Sequence, residues 1–358
     1  MHKRLWIPGP VEVHPDVLRA CSVPMISHRG KEYQKLHAGV KAKLRTLLGT
    51  EKGYVFLFTS SSTGAMEGAV RNFSARRILS CTCGNFSERW HAIALENGKE
   101  ADAYSVEWGQ PNRPEEIDRR LATGKYDCLT LVSNETSTGL FNPLEEIAAV
   151  MRKYPDVTFC VDAVSSLAGV PLNPEKLGID YLLAGTQKAF GLPPGLAVVW
   201  CSERAMAKAE KVPNRGHYFD VWQFKKTDEK NETPETPVIS LIHALDVQMG
   251  RMLAEGLENR WKRHQEMARV CREWANARFK MFPAKGYESV TLSCVENVRK
   301  DITVKQLYDK LYERGHVISE GYGKLKERTF RIAHMADTTV EELKGLLALI
   351  DEILGVRG

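Results

Sequence analysis

Short apolar runs recur through the first two thirds of the chain. They read YVFLFTS (54–60), RILSCTC (77–83), CLTLVS (128–133), VTFCVDAV (157–164), YLLAGT (181–186) and LAVVWCS (196–202). Each has strand length and is rich in Val, Leu, Phe, Tyr or Thr. Segments of helical character separate most of them: AMEGAVRNF after the first, SERWHAIALENG after the second, PLEEIAAVMRKY before the fourth. Alternating apolar strands and helices demand crossover connections. The expectation is an α/β fold with a mostly parallel sheet covered by helices on both faces.

After about Val238 the pattern changes. A long helical stretch from VISLIHALDVQMGRMLAEG into LENRWKRHQEMARVCREWANARF exceeds an ordinary helix, which predicts a bend near Gly256. SVTLSCV, TVKQLYDKLYERG, HVISEG, TFRIAHM and TVEELKGLLALIDEIL follow. Their β-α-β-β-α order fits a small α+β unit, its last helix opened by Thr338 or Thr339 with Glu341 and Glu342 in the first turn. A length of 358 residues also favours one large domain plus a smaller one. The polar stretch KKTDEKNETPETP (225–237) reads as an exposed loop.

Composition narrows the function. The net charge of +5 is mild and the charges are interleaved, so nothing suggests a nucleic-acid partner. The opening segment lacks the apolar core of a secretory signal, and no run approaches the ~20 residues of a membrane span. A cytoplasmic location is expected. Of the 8 cysteines, Cys128, Cys160 and Cys201 lie in apolar runs; Cys81 and Cys83 have no second pair at metal spacing. These read as reduced structural thiols, with no metal site.

In open parallel sheets, ligands bind beyond the carboxyl ends of the strands. Ser60, Ser61, Ser62, Thr63 and Gly64 follow the first run and lead into a helix. Hydroxyls and backbone N–H groups there suit a phosphate, although an N-cap turn without ligand has the same sequence. Neither a Walker loop nor a G-x-G-x-x-G fingerprint is present. Asp162 ends the fourth run, and Gln187 and Lys188 follow the fifth. A buried lysine must be paired, solvated or chemically occupied. A lysine, an aspartate and a phosphate cradle on one rim meet the needs of pyridoxal phosphate: a Schiff base, a partner for the pyridine nitrogen and an anion site.

These residues bring a family into view. The chain resembles class V, fold-type I pyridoxal-phosphate aminotransferases, above all the alanine–glyoxylate / serine–pyruvate branch, over essentially its whole length. The resemblance rests on Pro8-Gly9-Pro10, SHRGKEY (27–33), SSSTGAMEG (60–68), NETSTG (134–139), VDAVSSLAG (161–169), GTQKAFGLPPGL (185–196), TPETPVISL (233–241), GLENRWKRH (256–264) and FRIAH (330–334). It implies an N-terminal arm at the active-site entrance (1–15), a large cofactor-binding domain (16–255) and a small C-terminal domain (256–358). It assigns Lys188 to the covalent cofactor link and proton shuttling, and Asp162 to the pyridine nitrogen. Ser61, Ser62 and Thr63 would hold the phosphate, Thr136 and Gln187 the ring and its oxygen, and Phe86 (less well Trp90) would stack on the ring. Arg331 would clamp the substrate α-carboxylate, with Gly9 and Pro10 shaping the entrance. Thr233 and Thr236 would reach the cofactor phosphate of a neighbouring subunit, which implies a homodimer.

The phosphate loop is serine-rich where relatives often carry glycine, and no tyrosine directly precedes TPETP; both leave the phosphate ligands open. The implied reaction is a ping-pong transamination between a small amino acid, alanine or serine, and a 2-oxo acid such as glyoxylate or pyruvate. His28 and Arg29 read either as a structural salt-bridged loop or as a distal anion site. The second reading would make phosphoserine the alternative substrate. A cysteine desulfurase or lyase would need a nucleophilic loop cysteine, and a non-catalytic scaffold would usually have lost Lys188 or Asp162.

Overall fold

The computed structural model describes residues 2–356. Its centre is a seven-stranded sheet in the order β2-β10-β9-β8-β5-β3-β4. The strands are β2 (Tyr54–Phe58), β3 (Arg77–Thr82), β4 (Glu100–Ser105), β5 (Cys128–Val132), β8 (Thr158–Asp162), β9 (Tyr181–Gly185) and β10 (Ala197–Cys201). Neighbours from β4 through β9 pair parallel, while β10 runs antiparallel to both β9 and β2. Reversing β10 restores β2 to the common direction. The carboxyl ends of β2, β3, β5, β8 and β9 therefore share one edge. Two short strands, β6 (Asn134–Glu135) and β7 (Leu140–Phe141), form a separate hairpin beyond β5.

Alternation along the strands fills both faces. Val55 and Leu57 pack into one core cluster and Phe56 and Phe58 into another. Helices α1 (Pro15–Ala20), α2 (Lys31–Leu48), α5 (Pro114–Leu121), α6 (Leu144–Met151) and α9 (Ile239–Glu255) contribute to the first. Helices α3 (Ser62–Phe73), α4 (Asn85–Glu96), α7 (Glu203–Ala209) and α8 (Val221–Asp228) contribute to the second.

The expected bend falls at Gly256, which separates α9 from α10 (Leu257–Arg278) with a positive φ of 83°. A four-stranded sheet then orders β11 (Lys280–Met281), β12 (Leu292–Glu296), β15 (Thr329–Ala333) and β14 (Ser319–Glu320). Helices α11 (Val304–Glu313) and α12 (Val340–Ile353) pack on it. The last helix begins at Thr339, whose hydroxyl accepts from Glu342 N while the Glu342 carboxylate receives Thr339 N.

Three features differ from the sequence reading. The edge strand β4 carries Glu100 and Asp102 and lacks an apolar signature, as suits an edge that must resist further pairing. The polar 225–237 stretch is only partly an exposed loop: its first residues close α8, and Thr233 is buried. The N-terminal segment is also more than an arm. Its strand β1 (Arg4–Leu5) pairs parallel with β13 (His316–Val317), and Trp6 is buried in the core of the small sheet.

Leu129 is fully buried in the central strand β5. Leu129→Ala should cost about 2–5 kcal/mol of stability, read as a lower urea midpoint with an unchanged m-value.

Candidate active site

The carboxyl ends of the strands enclose one cavity. It is lined by Ser61, Ser62, Thr63, Phe86, Thr136, Asp162, Gln187 and Lys188, all expected from the sequence, together with Met66, Arg89, Val132, Asn134 and Val164. Each wall has a local cause. The first turn of α3 starts at Ser61, whose hydroxyl makes no capping hydrogen bond. Ser62 Oγ is buried with no hydrogen-bond partner among the described residues. The space for that hydroxyl exists because residue 185 is glycine: a Cβ there would lie 2.2 Å from Ser62 Oγ and 2.7 Å from Gln187 Oε1. The start of α4 is held by the buried Glu135 carboxylate, which accepts from Phe86 N at 3.2 Å, Ser87 N at 3.0 Å and Ser87 Oγ at 3.0 Å. A negative charge at a helix N-terminus satisfies donors that the helix leaves free. It also fixes Phe86 over the cavity.

Asp162 ends β8 and is 3% exposed. Val164 N–H donates to its Oδ1 at 2.7 Å. Burial, with the nearby Glu135 charge adding to it, pushes the Asp162 carboxyl up to about 7 against the pull of Val164 N–H, Lys188 and Arg89. Lys188 lies in the turn after β9. Burial draws its ammonium down to about 8, and Arg331 and Arg89 push the same way against Asp162. Its Nζ donates to the Pro8 carbonyl and stands 6.0 Å from the centre of the Phe86 ring. Gly9 lies against it, since a Cβ there would come within 2.5 Å of Lys188 Cδ. Val11 N–H donates to the Gln187 carbonyl at 3.2 Å. The segment containing Gly9 and Pro10 thus forms a wall beside the lysine.

Arg331 reaches the same place from β15. It is 6% exposed and donates to Thr136 O at 3.3 Å, Glu320 O at 3.2 Å and Ser319 Oγ at 3.3 Å. Among the described residues, no carboxylate lies within ion-pair distance of it. A buried guanidinium with neutral acceptors only is poised for an anion. Its face covers the Tyr322 ring at 5.4 Å, and Tyr322 in turn packs on Phe86 with ring centres 5.4 Å apart.

The remaining expected residues do not line this cavity in a single chain. Arg29 spends its guanidinium on Glu232 at 3.1 Å, Thr233 O at 2.7 Å and Pro234 O at 3.0 Å. Within the single chain Arg29 is thus part of a salt-bridged loop. Thr233 Oγ1 donates to Glu235 O at 2.7 Å, and Thr236 is exposed. The sequence reading quoted Asn134 and Glu135 within NETSTG without giving them an individual role, and did not single out Arg89 or Tyr322. Asn134 and Glu135 sit inside the NETSTG motif, and Arg89 follows Phe86 by three positions, one helical turn, so spacing alone could have found it.

A family model described as aminotransferase class V matches residues 18–301. The chain belongs to that family. An uncharacterized aminotransferase of Methanocaldococcus jannaschii is 37% identical to this enzyme over 98% of this chain and 92% of its own length. The L-aspartate–glyoxylate aminotransferase of Paracoccus denitrificans is 30% identical over 94% of this chain and 87% of its own length. An alanine–glyoxylate aminotransferase structure from a Nostoc species superposes with a TM-score of 0.92 at 27% identity, covering 99% of this chain and 96% of that one. The fold is the fold-type I architecture and the cofactor is pyridoxal phosphate.

The residues present fit that cofactor. The enzyme offers a lysine of lowered pKa, a buried carboxylate, an uncapped helix N-terminus and an aromatic wall. It also leaves Ser62 Oγ, Asn134 Oδ1 and Gln187 Oε1, in residues lining the cavity, buried with no hydrogen-bond partner among the described residues. Buried polar atoms left open by the protein are what a polar ligand completes.

Asp162 gives a pH test on the cofactor-free protein. Its carboxyl is raised in the folded state, so between about pH 4 and 7 the folded chain binds more protons and loses stability as pH rises. Asp162→Asn should therefore melt at least about 2 °C above wild type at pH 8, with the gap closing toward pH 4. Equal melting temperatures at pH 8 would show that the carboxylate is solvated.

Proposed function

We propose that the enzyme moves the amino group of a small L-amino acid, alanine or serine, to a 2-oxo acid, glyoxylate or pyruvate, in the cavity built around Lys188. One observation carries this reading: Asp162 and Lys188 line that cavity after the adjacent strands β8 and β9, and the buried Arg331, with no carboxylate partner among the described residues, reaches its Thr136 wall from β15. The word glyoxylate in the names of two relatives supports the acceptor.

Lys188 would hold the cofactor covalently and Asp162 its pyridine nitrogen. Ser61, Ser62, Thr63 and the first N–H groups of α3 would take the phosphate. Phe86 would stack on the ring, with Thr136, Gln187 and Asn134 at its edge. When bound, pyridoxal phosphate supplies an electron sink for the substrate α-carbon and carries the amino group between half-reactions. The protein supplies the rest. A free lysine is almost wholly protonated at neutral pH; at about 8, Lys188 has a usable neutral fraction that can take the α-proton on Nζ. Pro8 O aims that nitrogen. A positive charge placed against Asp162 restores its carboxylate. Arg331 would orient the α-carboxylate by exchanging its long contacts to Thr136 O and Ser319 Oγ for the charged group, and the Phe86 and Tyr322 rings limit water beside it.

A homodimer is part of the proposal: Thr233 and Thr236 of a second copy would complete the phosphate site. Phosphoserine stands second, because Arg29 is occupied by Glu232 within the chain.

The absorption spectrum tests the reading. The purified protein should show a yellow band that alanine or serine bleaches without any oxo acid. Phosphoserine bleaching it fastest would reverse the substrate order. Lys188→Ala should lose the covalent link and turnover; wild-type turnover in that variant would refute the assignment. Arg331→Gln should lower kcat/KM for the amino acid by about 100-fold or more, mainly through KM.

A further inference from the structure

Behind the cavity lies a buried cation that the reaction itself does not use. Arg260, on the first turns of α10, has a side chain 1% exposed. Four of its N–H groups have partners. Nε donates to Ala168 O at 3.1 Å and Nη2 to Ala189 O at 2.9 Å. Nη1 reaches Glu255 Oε2 and Asp337 Oδ1, each at 3.0 Å.

The identity of these acceptors is the informative point. Ala189 is the residue after Lys188. Ala168 closes the loop that leaves Asp162, and its φ of 73° is a left-handed conformation that a non-glycine residue holds only under constraint. Asp337 follows the strand that carries Arg331. One planar guanidinium therefore gathers the chain just downstream of the lysine, the aspartate and the carboxylate clamp. Neighbours tighten the joint. Gln248 Nε2 donates to both oxygens of Asp337 at 3.1 Å, and Arg263 holds Glu255, Ala336 O and Thr338 O. Residue 191, in the Lys188 turn, approaches Gln248 and Ala336 so closely that a Cβ would lie 3.2 Å from each.

We propose that Arg260 is a positioning residue that locks the Lys188 turn in register with the Asp162 loop and the Arg331 strand. The proposal rests on the functional reading of those three residues. A simple buried ion pair would need only Glu255 and Asp337. The two carbonyl contacts are what couple it to the site, and only a five-donor planar fork can make all of them together. Lysine keeps the charge and can keep a carboxylate, but it cannot span both carbonyls.

The test compares wild type with Arg260→Met and Arg260→Lys, the second retaining the buried charge so that folding is preserved. The first readout needs no cofactor. Trinitrophenylation of Lys188 in the cofactor-free protein by trinitrobenzenesulfonate, in which the neutral amine displaces sulfite from the ring, followed by peptide mass spectrometry across pH, titrates the lysine directly. In both variants its midpoint should move from near 8 toward the ordinary lysine value as the turn loosens. The second readout is the holoenzyme: kcat with alanine should fall by about 100-fold, the scale of a misplacement near 1 Å, and the bound cofactor should dissociate at least about tenfold faster. Folded Arg260→Lys with an unchanged Lys188 midpoint and a kcat within twofold of wild type would overturn the proposal, whatever its melting temperature. Wild-type protein that forms no cofactor link at Lys188 would instead refute the functional reading on which it rests.

Discussion

Burial of charges that the protein leaves only partly compensated governs this structure. Lys188, Asp162 and Arg331 all leave water, and none is closed into an ion pair with another. Burial raises the acid and lowers both bases, so each charge state is held away from its ordinary balance. Such an arrangement costs stability in the empty protein. It persists because the surrounding backbone is over-determined.

The over-determination comes from the sheet. Parallel strands deliver their carboxyl ends to one edge, and the reversed β10 brings β2 and its following helix back to that edge. Glu135 then fixes the start of α4, and with it Phe86. The N-terminal segment is committed twice: Trp6 is embedded in the small core, while Pro8 and Gly9 meet Lys188 a few residues later. Arg331 lies on β15 of the small sheet whose core Trp6 enters, so the N-terminal segment links that sheet to the lysine-facing wall. Arg260 closes the circuit from the opposite side.

Most strand positions, the helix bend and the terminal cap were legible because each has a local cause: short apolar runs, a glycine between two helical stretches, a Thr–Glu capping pattern. Ser62, Asp162 and Lys188 were legible because a polar residue at the end of an apolar strand is conspicuous. The roles of Arg89, Glu135, Tyr322 and Arg260 were not. Their meaning lies in what they meet, and those partners stand far away in sequence: Tyr322 for Arg89, Phe86 for Glu135, Ala168 and Ala189 for Arg260. The edge strand β4 escaped notice for the opposite reason, since its charged residues hide its structure.

The sequence by itself determined the layered α/β architecture, the family and the residue types that can carry amino-group chemistry, because periodicity and motif spacing are local properties of the chain. Only the tertiary structure decided that burial lowers the Lys188 pKa, that among the described residues no carboxylate pairs with Arg331 and that Glu232 already pairs with Arg29. Those are properties of distance and burial, and they exist only once remote segments share one low-dielectric cavity.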